Sequence, residues 1–133
     1  MKRARDGFTL SEVLMTIVIL AVLAAIAYPN FTKTIELGRR REAEDLLMAT
    51  YAGERVYFFA NSKYLDVPPG AWKDISMEDP NPPDGSIQFA VNCTAGCAKF
   101  TAKATRQGGQ CNNSWLKVTD GNRTPSGTWT SCP

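Results

Sequence analysis

Two sets of side chains in this 133-residue chain carry reactive groups placed where they are not expected by chance. The first is a single carboxylate, Glu12, followed from Val13 to Tyr28 by an uncharged, mostly aliphatic run. An ionisable group in a membrane-grade segment costs roughly 2.5–3.5 kcal/mol on insertion scales, so it marks a functional site by default. The second is a set of four cysteines, Cys93, Cys97, Cys111 and Cys132, all far beyond that run. An even cluster past an export-type segment reads as two disulfides formed in an oxidising compartment. Zinc is the competing use, but the spacing C-x3-C-x13-C-x20-C lacks the paired knuckles of a zinc ribbon.

Other chemistry is thin. There is no histidine, so neither a Ser-His nor a Cys-His nucleophile pair can be assembled, and the chain is expected not to be an enzyme. Asp66, Asp74, Glu78, Asp79 and Asp84 lie in a proline-rich stretch. They could meet calcium, but their spacing argues for no bidentate cage, so no metal or cofactor is expected. The Arg39–Arg41 run is followed by Glu42, Glu44 and Asp45, which reads as a solvated mixed-charge face.

The elements that carry these groups follow from pattern. From Gly7 to Pro29 an apolar helix is expected, behind the basic residues Lys2, Arg3 and Arg5. After Pro29, Ile35, Ala43, Leu46, Ala49, Thr50, Gly53, Val56, Tyr57 and Ala60 recur at three- and four-residue spacings, an amphipathic stripe. The opposite face carries Glu36, Arg39, Arg40, Arg41, Glu44, Asp45 and Arg55, with Glu36 and Arg40 placed for an exposed ion pair. One helix from Thr9 to Ala60 would be roughly 75–80 Å long, with Pro29 a kink and Gly38 a further weak point. Its first half has no polar face and belongs in lipid or among copies of itself.

Asn61-Ser62-Lys63 closes the helix, and prolines and glycines up to Gly85 mark a surface loop with a short turn near Trp72. The aromatics Tyr57, Phe58, Phe59 and Tyr64 cluster at the junction as packing under that loop. Alternation of Ile87, Phe89 and Val91, then of Ala98, Phe100, Ala102 and Ala104, gives two strands, and Trp115 to Thr119 a third before the Asp120-Gly121 turn. A Cys93–Cys97 bridge would staple the neck of the first hairpin. Direct pairing of those two residues would set Val91 against outward-facing Lys99, a mismatch that a bulge near Gly96 would repair.

Gly7-Phe8-Thr9-Leu10-Ser11-Glu12 with the apolar run behind it resembles the processing signal of type IV pilins. The resemblance implies cleavage after Gly7 by a prepilin peptidase, N-methylation of Phe8, Glu12 as the assembly residue and Pro29 as the helix kink. Ser11, where the family has an aliphatic residue, and Asp6 beside the glycine depart mildly from its pattern. A second stretch, Lys103 to Cys111 with Leu116-Lys117-Val118, Gly121 and Cys132, resembles the end of short type IVa pilins and implies a Cys111–Cys132 bridge. Residues 63–92 match only loosely.

The implied fold is α+β: a long N-terminal helix, ladle-like, packed on a small antiparallel sheet with a C-terminal disulfide loop. The implied divisions are a cleaved leader (1–7), a transmembrane and filament-core half-helix (8–29), an amphipathic half-helix (30–61), a loop (62–85) and a sheet with its disulfide-bounded loop (86–133). The implied function is that of a homopolymeric filament subunit for adhesion, twitching motility or DNA uptake. Its implied partners are further copies of itself, the prepilin peptidase, the assembly platform with its motor ATPase, and lipid before assembly. Localisation would be the inner membrane, then the cell surface. In the precursor the free amine lies seven residues away at Met1, so the leader would lock assembly.

Removing Lys2, Arg3, Arg5 and Asp6 from 15 basic and 13 acidic residues leaves 12 of each. Net charge therefore gives nucleic acid no support as a partner, leaving only a local basic patch. Competing readings are a type II secretion pseudopilin, whose major form resembles a calcium-stabilised version without the disulfide loop, and a minor pilin at the filament tip. Of another class is a membrane-anchored binding module on a helical stalk. A secretory signal peptide cut after Ala25-Ile26-Ala27 is disfavoured by Glu12 at the start of its apolar core.

Overall fold

The computed structural model describes residues 7–68 and 71–132; leader residues 1–6 lie outside the described residues. The chain divides into two units, Met1–Ile35 and Glu36–Pro133. Helix α1, Leu10–Asn61, begins in the first and ends in the second.

In the first unit the aliphatic residues from Val13 to Ile26 are about half exposed or more. A lone apolar helix has nothing of its own to bury them against. The segment is long and apolar enough to cross a membrane by length and composition. Pro29 is accommodated within α1, and Thr32 donates its hydroxyl proton to the Pro29 carbonyl at 3.0 Å.

The second unit packs the rest of α1 on a four-stranded antiparallel sheet: β1 (Ile87–Thr94), β2 (Lys99–Arg106), β3 (Trp115–Thr119) and β4 (Asn122–Ser126), paired in chain order. Period-2 alternation turns Ile87, Phe89, Val91, Phe100, Ala102, Ala104, Leu116 and Val118 inward. They form one core with Ala43 and Leu47 of α1, Trp72 and Ile75 of a short 3-10 turn, and Trp129. The helix ends where Ser62 takes a left-handed conformation and its N–H closes on the Phe58 carbonyl at 2.8 Å.

Three expectations need correction, and one strand adds to them. The buried stripe of α1 is Glu36, Ala43, Leu47, Thr50 and Glu54, whereas Ala49, Val56 and Ala60 are exposed and Leu46 only half-buried. The sheet selects this face because Glu36 has a buried partner on β2. Accordingly Glu36 makes no exposed pair with Arg40; Arg40 instead meets Glu44 at 3.5 Å. The first hairpin needs no bulge, because Cys93 stands opposite Phe100 and Val91 opposite Ala102, both pairs on the inner face. Its four-residue tip, Ala95–Ala98, absorbs the offset, with Ala95, Gly96 and Cys97 all at positive φ. The added strand is β4, whose sequence NRTPS is polar and proline-bearing and carries no strand signal, a composition tolerated on an edge strand.

Candidate assembly helix and its anchorage

At the N-terminus Phe8 is 88% exposed and Thr9 caps α1. The Thr9 hydroxyl oxygen accepts the Glu12 N–H at 3.3 Å. In return one oxygen of Glu12 accepts the Thr9 N–H and the Thr9 hydroxyl, each at 2.8 Å. This is a reciprocal capping box, which satisfies helix-end donors in pairs. Its signature, threonine followed three residues later by glutamate, is present in Thr9-Leu10-Ser11-Glu12. Glu12 thus sits exposed at the head of the apolar helix, its charge held beside the positive end of the helix dipole.

The second unit holds its part of α1 by three polar ties that sequence reasoning did not assign. The innermost joins Glu36 to Arg106, both buried, through two parallel bonds: Nη2 to Oε1 at 2.8 Å and Nε to Oε2 at 3.0 Å. Arg106 also donates through Nη1 to the Ser86 carbonyl at 2.7 Å and to the Gln107 carbonyl. The hydrogen bonding of Arg106 holds the Glu36 carboxyl below its ordinary pKa despite burial. Gly109, at φ +72°, lies so close that a Cβ there would fall 2.7 Å from Glu36 Oε1 and 2.9 Å from Arg106 Nη2. The inward alternation at Phe100, Ala102 and Ala104 continues to Arg106, so a buried arginine was legible there.

The second tie is Glu54, fully buried, whose Oε2 accepts the Leu65 N–H at 3.0 Å while Oε1 has no partner among the described residues. Burial pushes this carboxyl above its ordinary pKa, against the Leu65 hydrogen bond. Beside it Gly53 leaves room for the 3-10 turn, since a Cβ would stand 2.6 Å from the Ile75 carbonyl oxygen. The third tie gathers Tyr64, Arg55 and Asp120. Tyr64 donates its hydroxyl proton to Asp120, and Arg55 Nη1 reaches the Tyr64 oxygen at 3.0 Å and Asp120 Oδ1 at 3.4 Å. Burial, then the Asp120 bond, raises the Tyr64 pKa. Tyr64 stacks on Phe58 at 4.7 Å and tilts against Phe100 at 4.8 Å, whereas Phe59 is exposed.

The cysteines form two bridges, Cys93–Cys97 with Cα atoms 4.8 Å apart and Cys111–Cys132 with Cα atoms 5.9 Å apart. The first fixes the β1–β2 tip, whose Cys97 carbonyl accepts the Tyr64 N–H at 2.8 Å while Asp66 accepts the Cys93 N–H at 3.2 Å. Together with the Val67–Val91 bridge, this covers the β1 edge. The second closes a loop containing β3, β4 and the buried Trp129. Among the described residues no group of three or more His, Cys, Asp or Glu side chains could hold a metal, and the acids from Asp74 to Asp84 are not gathered into one.

Residues 2–28 match the family model of the prokaryotic N-terminal methylation motif. The chain is 38% identical over 60 residues to the type IV major pilin protein PilA of Myxococcus xanthus (strain DK1622), covering 45% of this chain and 27% of that protein. It is 36% identical over 64 residues to the type II secretion system core protein G of Dickeya chrysanthemi, covering 48% and 42% of the two chains. Against the core protein G of Aeromonas hydrophila the figures are 35% over 63 residues, 47% and 44%. The chain thus spans from about a quarter to under half of the length of these curated relatives.

Proposed function

We propose that this type IV pilin-like prepilin is a structural, non-catalytic subunit of a surface filament, polymerising through the apolar half of α1. The observation that carries this reading is the placement of Glu12. An exposed carboxylate heads a solvent-exposed apolar helix segment within the matched methylation motif. On this reading a prepilin peptidase cuts after Gly7, Phe8 becomes the methylated N-terminus, and its cationic amine meets Glu12 of a neighbouring copy. Pairing charges in an apolar bundle is favourable relative to leaving them there unpaired, so the pair sets register while aliphatic packing holds the core. Pro29, which lacks an N–H to donate, serves as the kink where the apolar half meets the amphipathic one. The precursor resides in the inner membrane and the product on the cell surface, served by an assembly platform and its motor ATPase.

A type II secretion pseudopilin is the second reading, favoured by the likeness to core protein G; the Cys111–Cys132 loop favours the pilin. The test is Glu12→Val. Truncating one side of a buried ion pair costs about 3–5 kcal/mol, and here the penalty recurs at every subunit junction. Electron microscopy of sheared filaments should show few or none, with monomer accumulating in the membrane and cleavage after Gly7 retained. Normal filament numbers would refute the assembly role. An uncut chain would instead favour a membrane-anchored binding module.

A further inference from the structure

We infer that the outward face of the sheet, centred on Lys103, Trp115 and Lys117, is a binding site for an acidic polysaccharide. Charge in this unit is segregated: from Gly85 to Thr119 there are four basic residues and no acidic one. Arg106 is consumed by Glu36, which leaves Lys99, Lys103 and Lys117, all exposed. Lys103 and Lys117 are direct cross-strand partners, and among the described residues neither belongs to an ion pair. Like charges directly opposite one another destabilise a sheet. The nearby Asp120 does not relieve them, because its carboxylate is taken by Tyr64 and Arg55.

The indole of Trp115 organises the two ammonium groups. Lys103 Nζ lies 5.4 Å and Lys117 Nζ 5.3 Å from its ring, inside cation–π range. The ring in turn rests on Gly127, where a Cβ would fall 2.7 Å from it. These three side chains line a cleft of about 200 Å³. One strand repeat further along, a second cleft of about 350 Å³ is lined by Lys99, Thr94, Thr101 and Thr119, and also by Phe100, Gly121 and Asp120, the last already engaged by Tyr64 and Arg55. A carboxylate seated between Lys103 and Lys117 would find two fixed donors and an indole, with threonine hydroxyls beyond for sugar hydroxyls.

This pattern fits a sugar acid polymer better than a nucleic acid. Single strands are held by several aromatic platforms along a continuous cationic groove, whereas this face has one ring, already flanked by its lysines. The site lies wholly within the Glu36–Pro133 unit and does not depend on filament assembly.

The experiment titrates the full chain in detergent with polygalacturonate and follows tryptophan emission. Trp72 and Trp129 are buried, so Trp115 should carry the change and Trp115→Phe should abolish it. K103Q/K117Q should weaken binding about tenfold or more at low salt, with a thermal midpoint no lower than wild type because a like-charge pair is removed. Neutral dextran should not bind. The inference is overturned if K103Q/K117Q binds polygalacturonate like wild type, if dextran binds equally, or if no binding occurs. Tighter binding of oligothymidylate through the same residues would make this a nucleic-acid face. Self-association abolished by K103Q/K117Q, without polygalacturonate binding, would make it a contact between copies.

Discussion

Arg106→Met should be among the most damaging single substitutions outside the hydrophobic core. It deletes two charge-assisted bonds, at 2.8 and 3.0 Å, to a carboxylate whose side chain is only 7% exposed. It also frees the Ser86 carbonyl. Removing one member of a buried pair costs about 3–5 kcal/mol because the other charge stays buried without a counterion. Glu36→Leu leaves the guanidinium its two carbonyl acceptors and should cost less. The double variant Glu36→Leu/Arg106→Met removes both charges and should be more stable than Arg106→Met alone, since apolar replacement of a buried pair is often neutral.

Urea unfolding of the full chain in mild detergent, followed by near-ultraviolet dichroism of the buried Trp72 and Trp129, gives all four free energies of the cycle. A coupling of about 2 kcal/mol or more is expected for groups in direct contact. Acid titration supplies an independent check. Because Arg106 lowers the folded-state pKa of Glu36, its stabilisation is complete above the unfolded value of 4.5 and is lost as pH falls through the folded value. A cost for Arg106→Met below about 1 kcal/mol, or strict additivity in the cycle, would refute the claim that this pair is desolvated and mutually dependent.

Four further outcomes follow from the same contacts. Glu54 has the opposite sign: its raised pKa means its contribution is most favourable below the unfolded value and declines as pH rises through the folded one. Glu54→Gln should therefore flatten the neutral side of the stability–pH curve, read by urea midpoints across pH. Gly53→Ala should cost about 1–3 kcal/mol by driving the turn at Ile75 off the helix, and an unchanged thermal midpoint would contradict that packing. Thr9→Val should cost about 1 kcal/mol of cap and speed amide exchange at Glu12 without altering exchange in the sheet. Cys111→Ser/Cys132→Ser should lower stability by about 3 kcal/mol for its separation of 21 residues, and unchanged unfolding would show that the loop is pinned by Trp129 alone.

The order of elements was legible because it rests on periodicity and punctuation. The uncharged run, the alternation in β1 and β2 and the Asn61-Ser62 stop each leave a local mark. What was not legible depends on which partner an element meets. Glu36 and Glu54 occupy helix positions that a charge pattern assigns to solvent, yet both are buried because Arg106 and the Leu65 N–H lie opposite. A stripe counted from apolar residues alone therefore rotated away from the true face. The hairpin register is hidden in the sequence for a related reason. Two bonded cysteines need not be a cross-strand pair when the tip offers left-handed residues, as Ala95, Gly96 and Cys97 do. The capping box, by contrast, was fully local and present in the sequence as Thr9 and Glu12.

That box refines how processing could control assembly under the proposed function. Glu12 is not an idle charge in the single subunit, because it already accepts the Thr9 N–H and hydroxyl. Cleavage between Gly7 and Phe8 leaves the Thr9 N–H untouched, since that amide joins Phe8 to Thr9. The carboxylate therefore has the same local partners before and after the cut, and its own state does not report processing. What the cut supplies is the cationic amine of Phe8, one residue ahead of the cap. The drive toward a neighbouring subunit is then a difference: an ion pair in an apolar bundle, set against a cap worth about 1 kcal/mol. Thr9→Val removes the hydroxyl's two bonds with Glu12 and leaves the carboxylate held only by the Thr9 N–H, whereas Glu12→Val removes the carboxylate itself and keeps the hydroxyl's bond to the backbone N–H of residue 12. On this account the two substitutions part company in the filament assay. The first weakens the helix end while leaving the register charge in place to pair, and only the second deletes the charge that positions the incoming copy.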